Sequence, residues 1–320
     1  MALNDIFPYI AEPIGCFMFA TLPVILKKFD VPLPYKITLG ILAVFVPSLV
    51  VVNYYSDKYN IKFRLAELFE DKKRLFAGFL YTLYIYFQYA GFNILPVSMS
   101  IPIFMSGPII MTILDRIINK TPLNIAQIMA FCISFIGILL VVISKVKISK
   151  NLIAIGSFLV FSATISYALA LLTLKQVIPP EVKKYTFDMV NYELLITSFL
   201  SLIISSLISG ILLFFNIFNQ NLLPSVLRHK ALNLKHMLYV FISIFIISYI
   251  GNVFYYYSYS TLPLSTYGIL ENIEVIAALI IGYVFLNEKI TPMKIGGCFT
   301  IIIGIVMELY FKNKKNILQI

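Results

Sequence analysis

Long apolar runs separated by short polar segments occupy the chain almost from end to end. Each run is close to the roughly 20 residues that a membrane-spanning helix needs. Because backbone groups in lipid must find partners within their own segment, these runs predict helices, and their continuity argues against the alternating strands of a β-barrel. We predict ten spans, at Phe7–Leu26, Lys36–Tyr54, Arg74–Ile94, Val97–Ile118, Leu123–Ile143, Leu152–Leu174, Asp188–Phe215, His236–Ser258, Leu262–Leu286 and Pro292–Phe311.

An internal repeat relates the two halves of the chain. A shift of 167 residues places Leu95-Pro96-Val97-Ser98 on Leu262-Pro263-Leu264-Ser265, and without a gap it places Ile136-Gly137-Ile138 on Ile303-Gly304-Ile305. Each half holds five predicted helices, and an odd number inserts the two halves with opposite orientation. The predicted fold is an all-α polytopic membrane protein with ten transmembrane helices in two inverted five-helix repeats. We place the repeats at residues 1–147 and 148–320.

Composition agrees with this fold class and argues against several functions. Of the 320 residues, 60% are hydrophobic and 12% are charged, whereas soluble domains have about 45–50% apolar and about 25% charged residues. A soluble enzyme and a nucleic-acid binder are therefore disfavoured, and so is a disordered chain. The net charge of +10 is attributed to loops held against anionic headgroups, so the expected partners are the lipid bilayer and a small molecule.

Two further sequence features are interpreted as structural. The three cysteines, Cys16, Cys132 and Cys298, lie inside apolar runs without CxxC spacing, which is typical of small apolar residues packed between helices. The first apolar run lacks the basic segment and the cleavage site of a signal peptide, so we interpret it as the first span.

The distribution of basic residues suggests an orientation. With the N-terminus in the cytoplasm, the inner loops and tail carry 14 of the 25 lysines and arginines, and the outer side carries 11. The positive-inside tendency thus favours two cytoplasmic termini. The dense charged loop from Tyr55 to Lys73 is either a partner site or a solvated segment on the membrane surface. The expected location is the inner membrane of a bacterium or an organelle membrane of a eukaryote.

The last quarter of the chain carries a specific motif. Glu274-Val275-Ile276-Ala277-Ala278-Leu279 is followed by Leu286-Asn287-Glu288-Lys289-Ile290-Thr291-Pro292 and by spaced glycines. This pattern resembles the EamA repeat of the drug/metabolite transporter superfamily, most clearly over residues 262–306. Val275 stands where that repeat usually has proline, and Thr121 stands where the first repeat usually has glutamate. The resemblance implies ten helices in two inverted repeats that carry small metabolites by alternating access.

Ionisable residues inside the spans are the first candidates for the mechanism, because a charge in lipid costs several kcal/mol. Glu271 and Glu274 are three residues apart and share one side of a helix. Two such carboxylates repel each other, so one is expected to hold a proton near neutral pH. This pair suits proton coupling or a cationic substrate group, whereas the alternative role of Glu274 is a structural hydrogen bond.

Other acidic residues are candidates with a stronger structural alternative. Glu193 and Glu12 lie early in their spans, where an interface tolerates a carboxylate. Asp115 and Glu308 lie at span ends and are interpreted as charges at the level of the lipid headgroups.

Polar residues in the third and eighth spans form the second set of candidates. Tyr84 and Gln88 recur at helical spacing, as do Asn252, Tyr255 and Tyr256, so each set follows a helix face. An inverted repeat would bring the two faces together around a central cavity. The alternative is an aromatic belt at the membrane interface, which fits Tyr257 and Tyr259 best because they lie near a span end. The candidate substrate-binding residues are Glu274, Glu271, Tyr84, Gln88, Asn252, Tyr255, Tyr256, Ser106 and Glu193.

Prolines and glycines suggest where helices bend or pack closely. Pro102 and Pro108 interrupt the fourth span, as a hinge or as simple curvature, and Ser106 lies beside the freed backbone as a substrate contact. Gly296, Gly297 and Gly304 allow close helix approach. His229 and His236 are the only histidines, and no cluster has metal-ligand spacing. Neither a phosphate loop nor a nucleotide fingerprint is present, so no metal or cofactor is expected.

These observations favour a secondary transporter of a small metabolite, coupled to protons or working by exchange, and not an enzyme. One alternative is a membrane-embedded lipid-modifying enzyme, which would need clustered His or Asp residues at a membrane face. Another is a channel or a receptor without turnover.

Overall fold

Nearly all of the described chain is helical. The structure is a computed structural model that describes residues 3–29, 31–59, 71–107, 110–111, 113–114, 117, 125–143, 149–177, 186–218, 234–262 and 264–317. None of these residues lies in a β-strand. The helices are α1 (Leu3–Ala20), α2 (Leu22–Lys28), α3 (Leu33–Tyr59), α4 (Lys72–Ile94), α5 (Val97–Phe104), α6 (Ile125–Ile143), α7 (Lys150–Val177), α8 (Thr186–Phe218), α9 (Leu234–Ile244), a π-helical segment π1 (Phe245–Ile250), α10 (Gly251–Thr261), α11 (Leu264–Leu270), α12 (Ile273–Leu286) and α13 (Pro292–Ile317).

Every predicted span contains part of at least one described helix. Six helical segments are long and apolar enough to cross a membrane, and two further apolar helices are shorter. Helix α4 has 23 residues, but its tyrosine, glutamine and asparagine side chains lower its mean hydropathy. Large apolar side chains such as Val50 and Phe158 face outward, with exposed fractions of 63% and 70%. A surface of this kind suits lipid, and the chain is built as an integral, multi-pass membrane protein.

Four helix pairs run along each other: α4 with α7, α6 with α13, α3 with α8 and α1 with α10. Glycine allows the closest approach. A Cβ added to Gly137 would lie 2.6 Å from the backbone oxygen of Gly297, and one added to Gly304 would lie 2.9 Å from that of Ala130. The shift of 167 residues converts one of these contacts into the other. Gly297 and Gly304 thus pack as predicted, whereas a Cβ on Gly296 would meet no described atom within 4 Å.

Helix boundaries also follow this shift. Helices α4 and α10 end at Ile94 and Thr261, α5 and α11 begin at Val97 and Leu264, and α6 and α13 begin at Ile125 and Pro292. Each of the three pairs differs by 167 residues, so the two halves share one register of helix ends.

The fourth and ninth spans both break in the interior. Helix α5 ends at Phe104, before a turn at Met105–Ser106, and α11 ends at Leu270, before a turn at Glu271–Asn272. A discontinuous helix leaves backbone groups that other elements must satisfy. The Thr164 hydroxyl lies 3.5 Å from the carbonyl oxygen of Phe104, and the Cys16 thiol lies 3.7 Å from that of Glu271. Each break is therefore supported by a side chain of another span.

Two other spans are interrupted less strongly. A turn at Thr21 separates α1 from α2, and the Thr21 hydroxyl donates to the carbonyl oxygen of Met18 at 2.6 Å. The eighth span passes through π1, and π-helical turns are frequent at functional sites. Of the cysteines, Cys16 is buried as predicted, whereas Cys132 is exposed on the outer surface and Cys298 is partly exposed.

Several sequence features lie outside the described residues. These are Pro108, Asp115, Thr121, His229, residues 60–70 of the charged loop and residues 144–148 of the basic loop. The side chain of Glu308 is also outside the description.

Candidate functional site

Three acidic side chains meet in the interior, where the first span passes the turn of the ninth. Glu12 lies on α1, Glu271 lies in the turn, and Glu274 lies in the first helical turn of α12. Their exposed fractions are 0%, 1% and 3%. Glu271 interacts electrostatically with Glu274, and Glu12 interacts with both. We call these three residues the acidic cluster.

The Cys16 thiol holds the first and ninth spans together at the acidic cluster. Its sulfur is 3.8 Å from Oε1 of Glu12, one helical turn away, and 3.7 Å from the carbonyl oxygen of Glu271. The main chain of the turn and a carboxylate of α1 therefore share one thiol. This explains why Glu12, which the sequence placed near an interface, lies at the core instead.

Tyr255 on α10 orients the principal candidate acid. Its hydroxyl donates to Oε2 of Glu274 at 2.6 Å, a short charge-assisted bond. The Tyr255 ring is held edge-on between Phe19, at 4.9 Å between ring centroids, and Tyr267, at 6.0 Å. Packing on both sides leaves the ring little freedom, so the phenol is positioned before any ligand arrives.

Some polar atoms of this region have no hydrogen bond of normal geometry among the described residues. These are Oε2 of Glu12, Oε2 of Glu271, the Tyr267 hydroxyl and both side-chain polar atoms of Asn272. All four residues are at most 1% exposed. Because a buried polar atom without a partner costs about 1–3 kcal/mol, the region has capacity for protons or a ligand.

A cavity lies next to the acidic cluster, between α1, α3, α4, α8 and the eighth span. Its lining includes the predicted residues Tyr84, Gln88 and Asn252, together with Tyr81 and Ser248. Its volume is about 30 Å³, which is room for very few water molecules. A metabolite can enter only if the surrounding helices separate.

Aromatic rings join the cavity to the acidic cluster. The Tyr84 ring is 4.8 Å from that of Tyr167 and 5.8 Å from that of Phe104. Tyr84 interacts electrostatically with Glu274, and Tyr167 does so with Glu271. The rings and the carboxylates therefore form one continuous site.

The structure brings most of the predicted residues together, and it separates one of them. Glu193 is 1% exposed and interacts electrostatically with Tyr256, which belongs to the same tyrosine network. Ser106 is half-buried and its hydroxyl donates to the carbonyl oxygen of Ile103 at 2.8 Å, so it serves the break of the fourth span. Tyr259, the best candidate for an interfacial belt, is only 3% exposed.

Sequence reasoning missed Cys16, Tyr167 and Tyr267, and it undervalued Glu12. An acid inside an apolar run is the signal that selected Glu274, and the same signal was present at Glu12. For the other three the sequence carries no local signal, because their partners lie on distant spans.

One mouth of the helix bundle is closed by a polar latch, which consists of Glu288, Lys294 and the start of α5. Asn287 ends α12 with φ 53°, a left-handed conformation that asparagine tolerates. This turn directs Glu288 at α5, where its carboxylate accepts from the backbone N–H groups of Val97 at 2.7 Å and Ser98 at 3.0 Å. Lys294 donates to the Ser98 hydroxyl at 2.8 Å. The acid of the sequence motif thus caps the fourth span.

No metal centre accompanies these groups in the part of the chain that the structure describes. A search of those residues finds no group of three or more His, Cys, Asp or Glu side chains that could hold an ion.

Comparison with known proteins agrees with the helical architecture. The model of the EamA-like transporter family matches residues 10–143 and 154–310. No curated protein matches the sequence. A solved structure titled only "Crystal structure of protein" superposes with a TM-score of 0.64 at 10% identity, and the alignment covers 96% of this chain and 98% of the other. The likeness to that structure concerns the fold alone, whereas the family match covers both halves, so the chain belongs to the EamA-like transporter family of the drug/metabolite transporter superfamily and is a membrane transporter of small molecules.

Proposed function

We propose that the chain is a secondary carrier that moves a small metabolite by alternating access. Its frame is ten spans in two inverted repeats, residues 1–147 and 148–320. Three pairs of helix ends at one register and the paired contacts of Gly137 and Gly304 support the duplication. Inverted repeats in transporters place the substrate site near the midplane, at discontinuous helices.

The observation that carries the proposal is the acidic cluster beside the break of the ninth span. Glu274 and Glu271 are buried, and an unpaired charge at this depth costs several kcal/mol. Each carboxylate must therefore hold a proton or face a cation. A site that exchanges one for the other couples transport to protons, and we assign this role first to Glu274 and then to Glu271.

Two closing contacts define the state from which transport starts. The polar latch closes one mouth, and the narrow cavity excludes a metabolite. Opening must break the Glu288 bonds to α5 and part the rings around Tyr84. Substrate shifts this equilibrium only by its difference in affinity for the two states, so the residues that move must also be residues that bind.

The proposed topology places both termini in the cytoplasm of a cell membrane or an organelle membrane. An even number of spans returns the chain to its starting side, and the basic residues favour that side. Cysteine labelling from each face of sealed vesicles tests this arrangement. Labels that place the two termini on opposite sides would rule out ten spans.

Transport in proteoliposomes tests the carrier and its coupling in one preparation. We expect saturable uptake with counterflow, which distinguishes a carrier from a channel. Glu274→Gln should reduce proton-driven uptake by at least about 100-fold, equivalent to about 2.7 kcal/mol, while substrate exchange and the melting temperature are largely retained.

Glu274→Asp is the matched control, because it keeps the carboxylate and should keep measurable coupling. Proton-driven uptake at the wild-type rate in Glu274→Gln would contradict the proposed role of this residue. Absence of counterflow in the unmodified protein would contradict the carrier itself.

A further inference from the structure

The acidic cluster has the charge of a cation site and no described basic partner. Within the described part of the chain, none of the electrostatic interactions of Glu12, Glu271 and Glu274 involves a lysine or an arginine. The buried lysines bond at helix ends instead, Lys36 to the carbonyl oxygen of Leu26 and Lys294 to Ser98. A ligand with a free carboxylate or phosphate would meet only repulsion at this point.

A second observation, independent of the acids, concerns the rings around them. Four buried tyrosines interact electrostatically with Glu271 or Glu274: Tyr84, Tyr167, Tyr255 and Tyr267. The Tyr267 hydroxyl is fully buried and lacks a hydrogen bond of normal geometry among the described residues. Aromatic faces beside carboxylates attract a cation through the ring quadrupole, and this attraction grows when water is excluded.

We infer that the site binds the positively charged nitrogen of an organic ammonium. This inference rests on the proposed carrier function and names its substrate class. The ammonium group lies at Glu271 and Glu274, and the body of the molecule lies along the Tyr84 and Tyr167 rings toward the cavity. Gln88 and Asn252, which line that cavity, contact the far end of the substrate.

Positive charge, and not size or ring content, decides binding in this arrangement. Phenethylammonium, 2-phenylethanol and 3-phenylpropionate share a ring and a short chain, and they differ at the group that would meet the acids. A second set, the alkyl compounds butylammonium, 1-butanol and butyrate, removes the ring. The two sets separate the contribution of charge from that of aromatic stacking.

Calorimetric titration of the purified full-length protein with both sets tests the inference. We expect each ammonium to bind at least about tenfold more tightly than its alcohol, and neither carboxylate to bind. The double variant Glu271→Gln/Glu274→Gln should remove this preference. Asp71→Asn is the matched acidic control, because Asp71 only caps α4 through Lys73 and Arg74 and its loss should leave the preference unchanged.

Counterflow in proteoliposomes then separates the two levels of the proposal. Ammonium binding with ammonium counterflow supports both, and ammonium binding without counterflow of any compound supports the site while overturning the carrier. Counterflow of the alcohols or the carboxylates at equal or higher rates overturns the substrate class and leaves the carrier intact. If no ammonium in either set binds better than its alcohol, the inference is wrong.

Discussion

The fourth and ninth spans break at equivalent points of the repeat, yet they keep the break by different means. In the fourth, Pro108 has no N–H to give to the carbonyl oxygen of Phe104, four residues earlier. In the ninth, the equivalent position is Val275, whose N–H donates to Asn272 at 3.1 Å and not to Glu271. The turn persists there without the proline that enforces it in the first half.

The side chains at the two breaks differ more than the backbones. Shifted by 167 residues, Glu271 corresponds to Phe104 and Glu274 corresponds to Gly107. The carbonyl oxygen at each break meets a side chain from another span, Thr164 in one case and Cys16 in the other. The comparison teaches that both copies supply a discontinuous helix, whereas only the second copy supplies ionisable groups.

The strongest way to break the comparison is to remove a carboxylate from one break and a ring from the other. Glu271→Gln should lower proton-driven uptake by about 100-fold, equivalent to about 2.7 kcal/mol, because it removes an ionisable group from the acidic cluster. Phe104→Leu keeps an apolar side chain and should cost less than about tenfold, since an aromatic pair contributes about 0.5–1.5 kcal/mol. Initial rates in proteoliposomes measure both variants. Equal losses would mean that the two breaks contribute alike.

A smaller effect is expected at the hydroxyl that orients Glu274. Tyr255→Phe removes one hydrogen bond to a carboxylate, worth about 1.5–3 kcal/mol when that group is charged, and should slow proton-driven uptake by about tenfold or more. Tyr259→Phe is the matched control on the same helix, because the Tyr259 hydroxyl contacts a neutral carbonyl oxygen, that of Leu171, at 3.3 Å. If Tyr259→Phe slows uptake as much as Tyr255→Phe, the bond to Glu274 is not special.

The smallest effect sharpens the backbone half of the comparison. Val275→Pro should change the free energy of unfolding by about 1 kcal/mol or less, because Val275 lies in the first turn of α12, where proline is tolerated. Ala278→Pro, one turn further along, should cost about 3 kcal/mol or more, because it removes an interior bond of the helix. Thermal melts of the two purified variants in detergent compare them. A large loss for Val275→Pro would show that the two breaks differ in backbone geometry as well.

Sequence reasoning predicted the helices better than their interruptions. Apolar runs locate each span because burial in lipid requires about 20 apolar residues in succession. The break of the fourth span has a local signal in Pro102 and Pro108. The ninth span was expected from Leu262 to Leu286 without interruption, because nothing local marks a turn at Glu271. That turn follows from tertiary contacts of the repeat, which override local helix preference.

The site was predictable where its residues are close along the chain. Glu271 and Glu274 share a helical turn, so their spacing alone places them together. Glu12 and Cys16 meet them across the interior, and the contact from Cys16 to Glu271 spans 255 residues. No periodicity in one segment encodes such a distance. The repeat register relates the two halves, but it does not say which face of α1 turns toward the ninth span.

The narrow cavity also has an electrical consequence. Because the centre of the bundle is filled by side chains and only about 30 Å³ remains open, no continuous file of water carries the membrane potential inward. The voltage therefore falls across the thin layer that contains the Tyr84 ring and the Glu274 carboxylate. A singly charged substrate that crosses this layer exchanges about 2.3 kcal/mol with the field per 100 mV. Membrane voltage thus acts directly on the step in which cargo passes Glu274.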